Sequence, residues 1–258
     1  MKVIYEPKGR AKEYADLACN DYIGCPHQCL YCFAPSVMHS DRDSYHKTIN
    51  PRTEAIMKWF EKDCIELERK GDKRRVHMNF VSDPYPEIEK ELHLTRYCIE
   101  TAAKHGIGIN ILTKGKYDIV RPDFDLFKEA GVHFGVTCAF YDDKKRREWE
   151  PNASSVTDRL CLLKQAHEMG IFTWVSMEPV VYPDEAIEFF RYVQSHGVVD
   201  LWKVGKLNYH EQSKKVDWVA FRDCFKAFAD SMGANYLIKK DLLTYGLKKD
   251  QLTFWEEE

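Results

Sequence analysis

Cys25-Pro-His-Gln-Cys29-Leu-Tyr-Cys32-Phe-Ala-Pro35 spaces three cysteines by three and then two residues, directly after a strand-like run. A compact loop with this spacing turns three thiolates toward one point, the donor set of a soft metal or an iron-sulfur centre. The fourth ligand is missing from the loop. Four cysteines complete an ordinary 4Fe-4S cluster, so three leave one iron open to something that is not protein. Two other readings fit the same residues: zinc with a fourth ligand from elsewhere, such as His27, in a non-catalytic binding protein, or three unrelated buried thiols. With 9 Cys in 258 residues, random placement produces such a triplet about one time in a hundred.

Elsewhere in the chain, Cys19, Cys64, Cys98, Cys138, Cys161 and Cys224 are scattered and offer no second cluster motif, so a single cluster is expected. An odd cysteine count without a secretion signal argues for reduced thiols. At 44% hydrophobic the chain can bury one sizeable core. No apolar run approaches a membrane span, and the expected protein is soluble and cytoplasmic, with no membrane partner. A net charge of -3 and a pI near 6.4 exclude a wholly basic nucleic-acid binder but leave room for a local basic face. Without repeats or linkers, residues 1–258 read as one domain, with its core over about 15–240 and a charged C-terminal tail.

Strand patterns are expected over 17–23, 75–81, 108–113, 132–139, 171–177 and 201–204, with a last short strand at 236–238. Helical spacing falls between them: a helix opened by Asn50 as N-cap and Pro51 at its first position, then 91–105, 124–130, 154–169, one capped by Asp184 and one capped by Asp217. Six or so strands alternating with helices predict βαβ units, a parallel sheet and an α/β fold of the incomplete (β/α)6, TIM-like kind. Chemistry in parallel barrels gathers at strand C-termini. That rule selects the cysteine loop, Ser82-Asp83-Pro84-Tyr85, Thr113-Lys114, Thr137-Cys138, Ser176-Met177-Glu178 and 204–209.

The Cys-x3-Cys-x2-Cys motif, with Tyr31 before its last cysteine, resembles the signature loop of the radical S-adenosylmethionine (SAM) enzymes. Tyr22 to Pro35, Ser82 to Glu89 and Glu150-Pro-Asn-Ala-Ser154 further resemble the branch related to spore photoproduct lyase. The resemblance implies a radical SAM core in which Cys25, Cys29 and Cys32 hold a 4Fe-4S cluster whose open iron is chelated by S-adenosyl-L-methionine. It implies reductive cleavage of that cofactor to a 5'-deoxyadenosyl radical, with an electron from a reductant such as flavodoxin or ferredoxin. By position, Ser82, Asp83 and Pro84 resemble the element that meets the methionine amino group, and Tyr31 is expected against adenine. Lys114, Thr137 and Ser176 join them as cofactor contacts.

Glu178 is expected in the barrel mouth, accepting from ribose hydroxyls or pairing with Lys203, Lys206 or Lys114. Cys138, Tyr85 and Tyr209 compete as hydrogen donors to a product radical; a lone cysteine is also an ordinary small buried hydrophobe. The branch implies modification, rearrangement or repair of a DNA base or nucleotide, and Lys114, Lys116, Lys144-Lys-Arg-Arg147, Lys203 and Lys206 supply a cationic rim for phosphate. Phe33 stands where the lyase carries a tyrosine, and residues 75–81 hold no cysteine. A peptide or small metabolite is the alternative substrate. The oligomeric state is left open.

Overall fold

The structure is a computed structural model that describes residues 2–247. Seven parallel strands, β1 (Leu17–Cys19), β2 (Val76–Met78), β3 (Ile109–Thr113), β4 (His133–Thr137), β5 (Thr173–Val180), β6 (Leu201–Lys206) and β7 (Tyr236–Ile238), each lie beside their successor in the chain. They form a curled half-barrel, the α/β architecture expected, with the short seventh strand at its far edge. Tyr5 and Ala18 exchange two backbone hydrogen bonds of 2.9 and 2.8 Å beside β1.

Period-2 alternation divides the sheet into two faces. Val76, Met78, Ile109, Ile111, Phe134, Val136, Val175, Met177, Trp202 and Val204 belong to the outer core. Against them pack helices α1 (Thr53–Arg69), α2 (Leu94–Lys104), α3 (Phe124–Glu129), α5 (Val156–Glu168), α6 (Pro183–Gln194) and α7 (Trp218–Ser231). His77, Gly135, Trp174, Ser176, Glu178, Lys203 and Gly205 alternate with those positions and face the lumen. Gly135 is required there: a Cβ would stand 2.3 Å from the Trp174 ring.

Local chemistry departs from expectation at three helix starts. Asn50–Pro51 does not open α1 but pairs antiparallel with Tyr22–Ile23, so the ladder wins over the capping preference and α1 begins at Thr53. The first strand therefore stops at Cys19; Asn20 Oδ1 accepts from Phe80 N at 2.8 Å and Asp21 N donates to Asn79 at 2.9 Å. Asp184 lies inside α6, because Pro183 takes the first helical position. The helix expected from Glu91 is interrupted at His93, whose φ is +50°: a single helical turn over Glu89–Leu92 holds Glu91, and α2 begins at Leu94, where the buried Glu89 carboxylate accepts from Leu94 N (3.0 Å) and Thr95 N (2.9 Å). Asp217 does cap α7, accepting from Ala220 N at 3.0 Å. The basic run 144–147 is part of a helix, α4 (Asp143–Trp149). The expected charged tail lies, over 248–258, outside the described residues.

Candidate active site

The cysteine loop leaves the Tyr22–Ile23 ladder strand through Gly24, whose φ of +88° and whose missing Cβ, which would lie 2.0 Å from Thr48 O, make glycine necessary. Its carbonyls and amides are spent on fixed partners. His46 Nδ1–H donates to Cys25 O at 2.7 Å, Ser82 Oγ to Gly24 O at 2.5 Å, and Arg42 to the carbonyls of Cys29 and Cys32. On the other side Leu30 N donates to Trp149 O (2.8 Å), Asn152 N to His27 O (3.2 Å) and Asn152 Nδ2 to Pro26 O (3.0 Å). The stretch after α4 thus clamps the loop.

The three thiols are free of disulfides. Burial pushes Cys25 and Cys32 up and Cys29 up to about 12, so unliganded they are neutral and inert. A bound metal reverses that by deprotonating thiols outright, and Arg42 and Lys114 stand by to offset the charge of a thiolate-held cluster. The donor set fits an iron-sulfur cluster. Among the described residues no three His, Cys, Asp or Glu side chains, the cysteine triplet included, stand close enough to hold a single ion; His27 Nε2 is engaged by Asp83 at 3.0 Å, and its buried Nδ1 has no hydrogen-bond partner.

Asp83 is the hub of the turn after β2. It accepts from Tyr85 N (2.9 Å), Thr113 Oγ1 (2.5 Å), Lys114 N (2.7 Å) and His27. Burial raises its carboxyl, but His27 and the Lys114 and Thr113 donors outweigh burial and hold it at about 2. Asp83 therefore joins the cysteine loop to the ends of β2 and β3.

Tyr31 donates to Glu150, and Glu150 pairs with Arg159 at 2.6 Å; both ionic side chains are fully buried. Burial works against the Glu150 carboxylate, while Arg159 and Lys114 pull it below its ordinary value. Arg159 also donates to Thr137 O (2.9 Å) and Ser154 O (2.8 Å), and the Lys114 ammonium lies 5.7 Å from the Tyr31 ring centre. Tyr31, Ser82, Asp83, Lys114 and Thr137 are thus brought together, with Pro84 in the same turn. Glu150 and Arg159 were not singled out from the sequence; the Glu150 to Ser154 resemblance touched the first of them and gave no sign of the second.

Ser176, level with Thr137 on the neighbouring strand, and Glu178 project into the lumen. Glu178 pairs with none of the three expected lysines: Arg10 reaches it at 3.1 Å, Tyr14 OH at 2.5 Å and Lys239 at 4.0 Å. Ser176 Oγ is 2.8 Å from Tyr14 OH. The proposed hydrogen donors do not converge. Cys138 is buried with Sγ 3.5 Å from Phe140 O, Tyr85 is buried with its hydroxyl on Asp123 at 2.9 Å, and Tyr209 is 98% exposed. The basic run is largely consumed within the protein: Lys145 pairs with Glu185 (2.6 Å), and Arg146 and Arg147 with Asp143 (2.9 and 3.4 Å).

The family model of the radical SAM superfamily matches residues 20–193. The chain is 26% identical over 242 residues to the uncharacterized protein MJ0683 of Methanocaldococcus jannaschii, covering 88% of each. It is 30% identical over 174 residues to the uncharacterized protein Rv2578c of Mycobacterium tuberculosis, covering 63% of this chain and 48%, about half, of that one. Among solved structures, spore photoproduct lyase complexed with dinucleoside spore photoproduct superposes with a TM-score of 0.70 at 14% identity, over 91% of this chain and 79% of that chain. SuiB of Streptococcus suis bound to S-adenosylmethionine gives 0.65 at 14% identity, over 89% and 52%. At such identities the likeness is one of fold. Among the described residues no helix is long and apolar enough to cross a membrane.

Proposed function

Because the chain belongs to the radical SAM superfamily, enzymes that work with a 4Fe-4S cluster, S-adenosylmethionine and an electron donor, we propose that it acts as a single domain on a DNA base or nucleotide. The observation that carries the assignment of the site is the cysteine loop clamped between Asp83 and the Tyr31–Glu150–Arg159 chain at the sheet's C-terminal end. When bound, the cluster and S-adenosylmethionine supply a 5'-deoxyadenosyl radical for hydrogen-atom abstraction.

Cys25, Cys29 and Cys32 are the cluster ligands in this reading. Arg42 and His46 hold the loop's carbonyls, so the thiols keep their directions when the site is loaded. Tyr31, anchored by Glu150, presents its ring face as a wall for adenine, and Lys114 above it provides a fixed positive charge for the cofactor's carboxylate. Ser82, Asp83 and Pro84 set the backbone that meets the amino group, and Thr137 borders the same space. A one-electron donor such as flavodoxin or ferredoxin serves the cluster. Cys138, Tyr85 and Tyr209 remain the proposed sources of a returning hydrogen, of which only Tyr209 is open to solvent.

The DNA or nucleotide reading draws support from the fold shared with spore photoproduct lyase. The measurement is 5'-deoxyadenosine formation by the reduced, reconstituted protein with and without single-stranded DNA, duplex DNA and nucleotides. Acceleration by one of them is expected; a rate indifferent to all contradicts the substrate class. A second reading, a peptide substrate, is favoured by the internal pairing of residues 145–147 and by fold likeness to SuiB, solved with its precursor peptide SuiA.

A further inference from the structure

Residues 9–14 cross the open side of the half-barrel as a strap, from the chain entering β1 to the end of β7, where Glu13 accepts from Lys240 N at 2.7 Å. The strap sends Tyr14 into the lumen. Its ring centre lies 5.9 Å from that of His77, 6.2 Å from that of Phe80 and 6.2 Å from that of Trp174, at interplanar angles of 39°, 75° and 53°, so the three rings make an aromatic slot around one ring-sized group. Its hydroxyl meets Ser176 and Glu178, and Arg10 bridges Glu178 (3.1 Å) and Asp241 (3.0 Å).

The slot carries cations that the strap does not neutralise. Lys239, 1% exposed, stands 3.9 Å from the Tyr14 ring centre, and Lys203 stands 5.1 Å from it and 4.8 Å from that of Trp174. The strap answers them with neutral backbone carbonyls, Arg10 O on Lys239 (3.2 Å) and Tyr14 O on Lys203 (3.0 Å). Among the described residues Lys203 has no carboxylate within 4.0 Å; burial and then Lys239 push its ammonium down to about 8. His77, 1% exposed, has an Nδ1 without a hydrogen-bond partner. Lys239, the buried one, has Glu178 at 4.0 Å besides its carbonyl, whereas the half-buried Lys203 is left to a carbonyl alone; a partly desolvated cation so placed, near an unanswered imidazole nitrogen, is an arrangement that an anion relieves.

We infer that the strap stands in for a nucleoside monophosphate: the ligand's ring takes the Tyr14 slot, a donor on the ring edge meets Glu178, and its phosphate meets Lys203 and Lys239. The inference rests on the reading of the chain as a radical SAM enzyme of nucleotides and names the slot that takes the substrate, moving Ser176 and Glu178 from cofactor to substrate. S-adenosylmethionine does not fit the charge pattern, since it brings a sulfonium cation and no anionic group at its adenine end.

The test uses the full-length, cluster-reconstituted protein. Calorimetry with the four deoxynucleoside 5'-monophosphates, the matching nucleosides, inorganic phosphate and S-adenosylmethionine is read alongside hydrogen exchange of residues 9–14. At least one monophosphate is expected to bind at least about tenfold more tightly than its nucleoside and to raise exchange in the strap. Lys203→Met weakens that binding about tenfold or more, Lys203→Arg restores part of it, and Tyr14→Ala, which vacates the slot, tightens it. No monophosphate binding, binding indifferent to Lys203→Met, an unchanged strap, or a strap opened by S-adenosylmethionine alone overturns the inference. If any of these occurs while wild type still forms 5'-deoxyadenosine, the family reading stands and only the slot assignment falls.

Discussion

Asp83 gathers donors from three segments of the chain, and removing it strands all of them in a buried place. Asp83→Ala is predicted to cost about 3–5 kcal/mol, read by chemical denaturation of the cluster-free protein; a loss under about 1 kcal/mol contradicts the hub role. Gly24→Ala forces a Cβ into Thr48 O at a positive φ. That variant is predicted to lose about 3 kcal/mol or more and much of its capacity for iron, whereas wild-type stability and iron content argue against the strained entry to the loop. The polar strand-end turn at Asp83 was legible in the sequence. Its partners were not, since His27 and Thr113 lie 56 and 30 residues away and no local spacing encodes such contacts.

At the scale of elements, α5 and the segment after α4 hold the cysteine loop through the Glu150–Arg159 pair. Arg159→Met leaves a buried carboxylate uncompensated and is predicted to cost about 3–5 kcal/mol, while adding Glu150→Leu recovers most of that. Additive losses in the double variant, measured by urea unfolding, contradict a coupled pair. The strands and the order of helices were readable because period-2 and 3.6-residue patterns report burial directly. Helix starts were less so: Asn50–Pro51 satisfies a capping rule locally, but the pairing with Tyr22–Ile23 is a tertiary fact. The strap over 9–14 has no periodicity, and only its insertion among aromatic rings and lysines reveals a role.

Across the whole molecule, two buried carboxylates outside the cluster loop shape the response to pH. Burial pushes Asp21 up to about 6 and Glu89 up to about 7. Both bind protons more tightly folded than unfolded, so their stabilising effect is fully present below the unfolded values near 4 and fades as pH rises through about 6–7. Denaturation midpoints in urea should fall between pH 4 and 7, on the order of a few kcal/mol from these groups, and Asp21→Asn should flatten the slope; a slope unaffected by that substitution contradicts the assignment. Glu89's role as the cap of α2 explains why a carboxylate is kept in so dry a place.

Cys25, Cys29 and Cys32 together are the feature on which the cluster, and with it the chemistry, depends. Iron and acid-labile sulfide, counted after anaerobic reconstitution of wild type and Cys29→Ala, together with 5'-deoxyadenosine after reduction with S-adenosylmethionine, test that dependence most directly. Wild type alone is expected to take up about four irons and four sulfides and to form 5'-deoxyadenosine. A wild type that takes up no cluster and forms no 5'-deoxyadenosine, or a variant that does both as well, contradicts it.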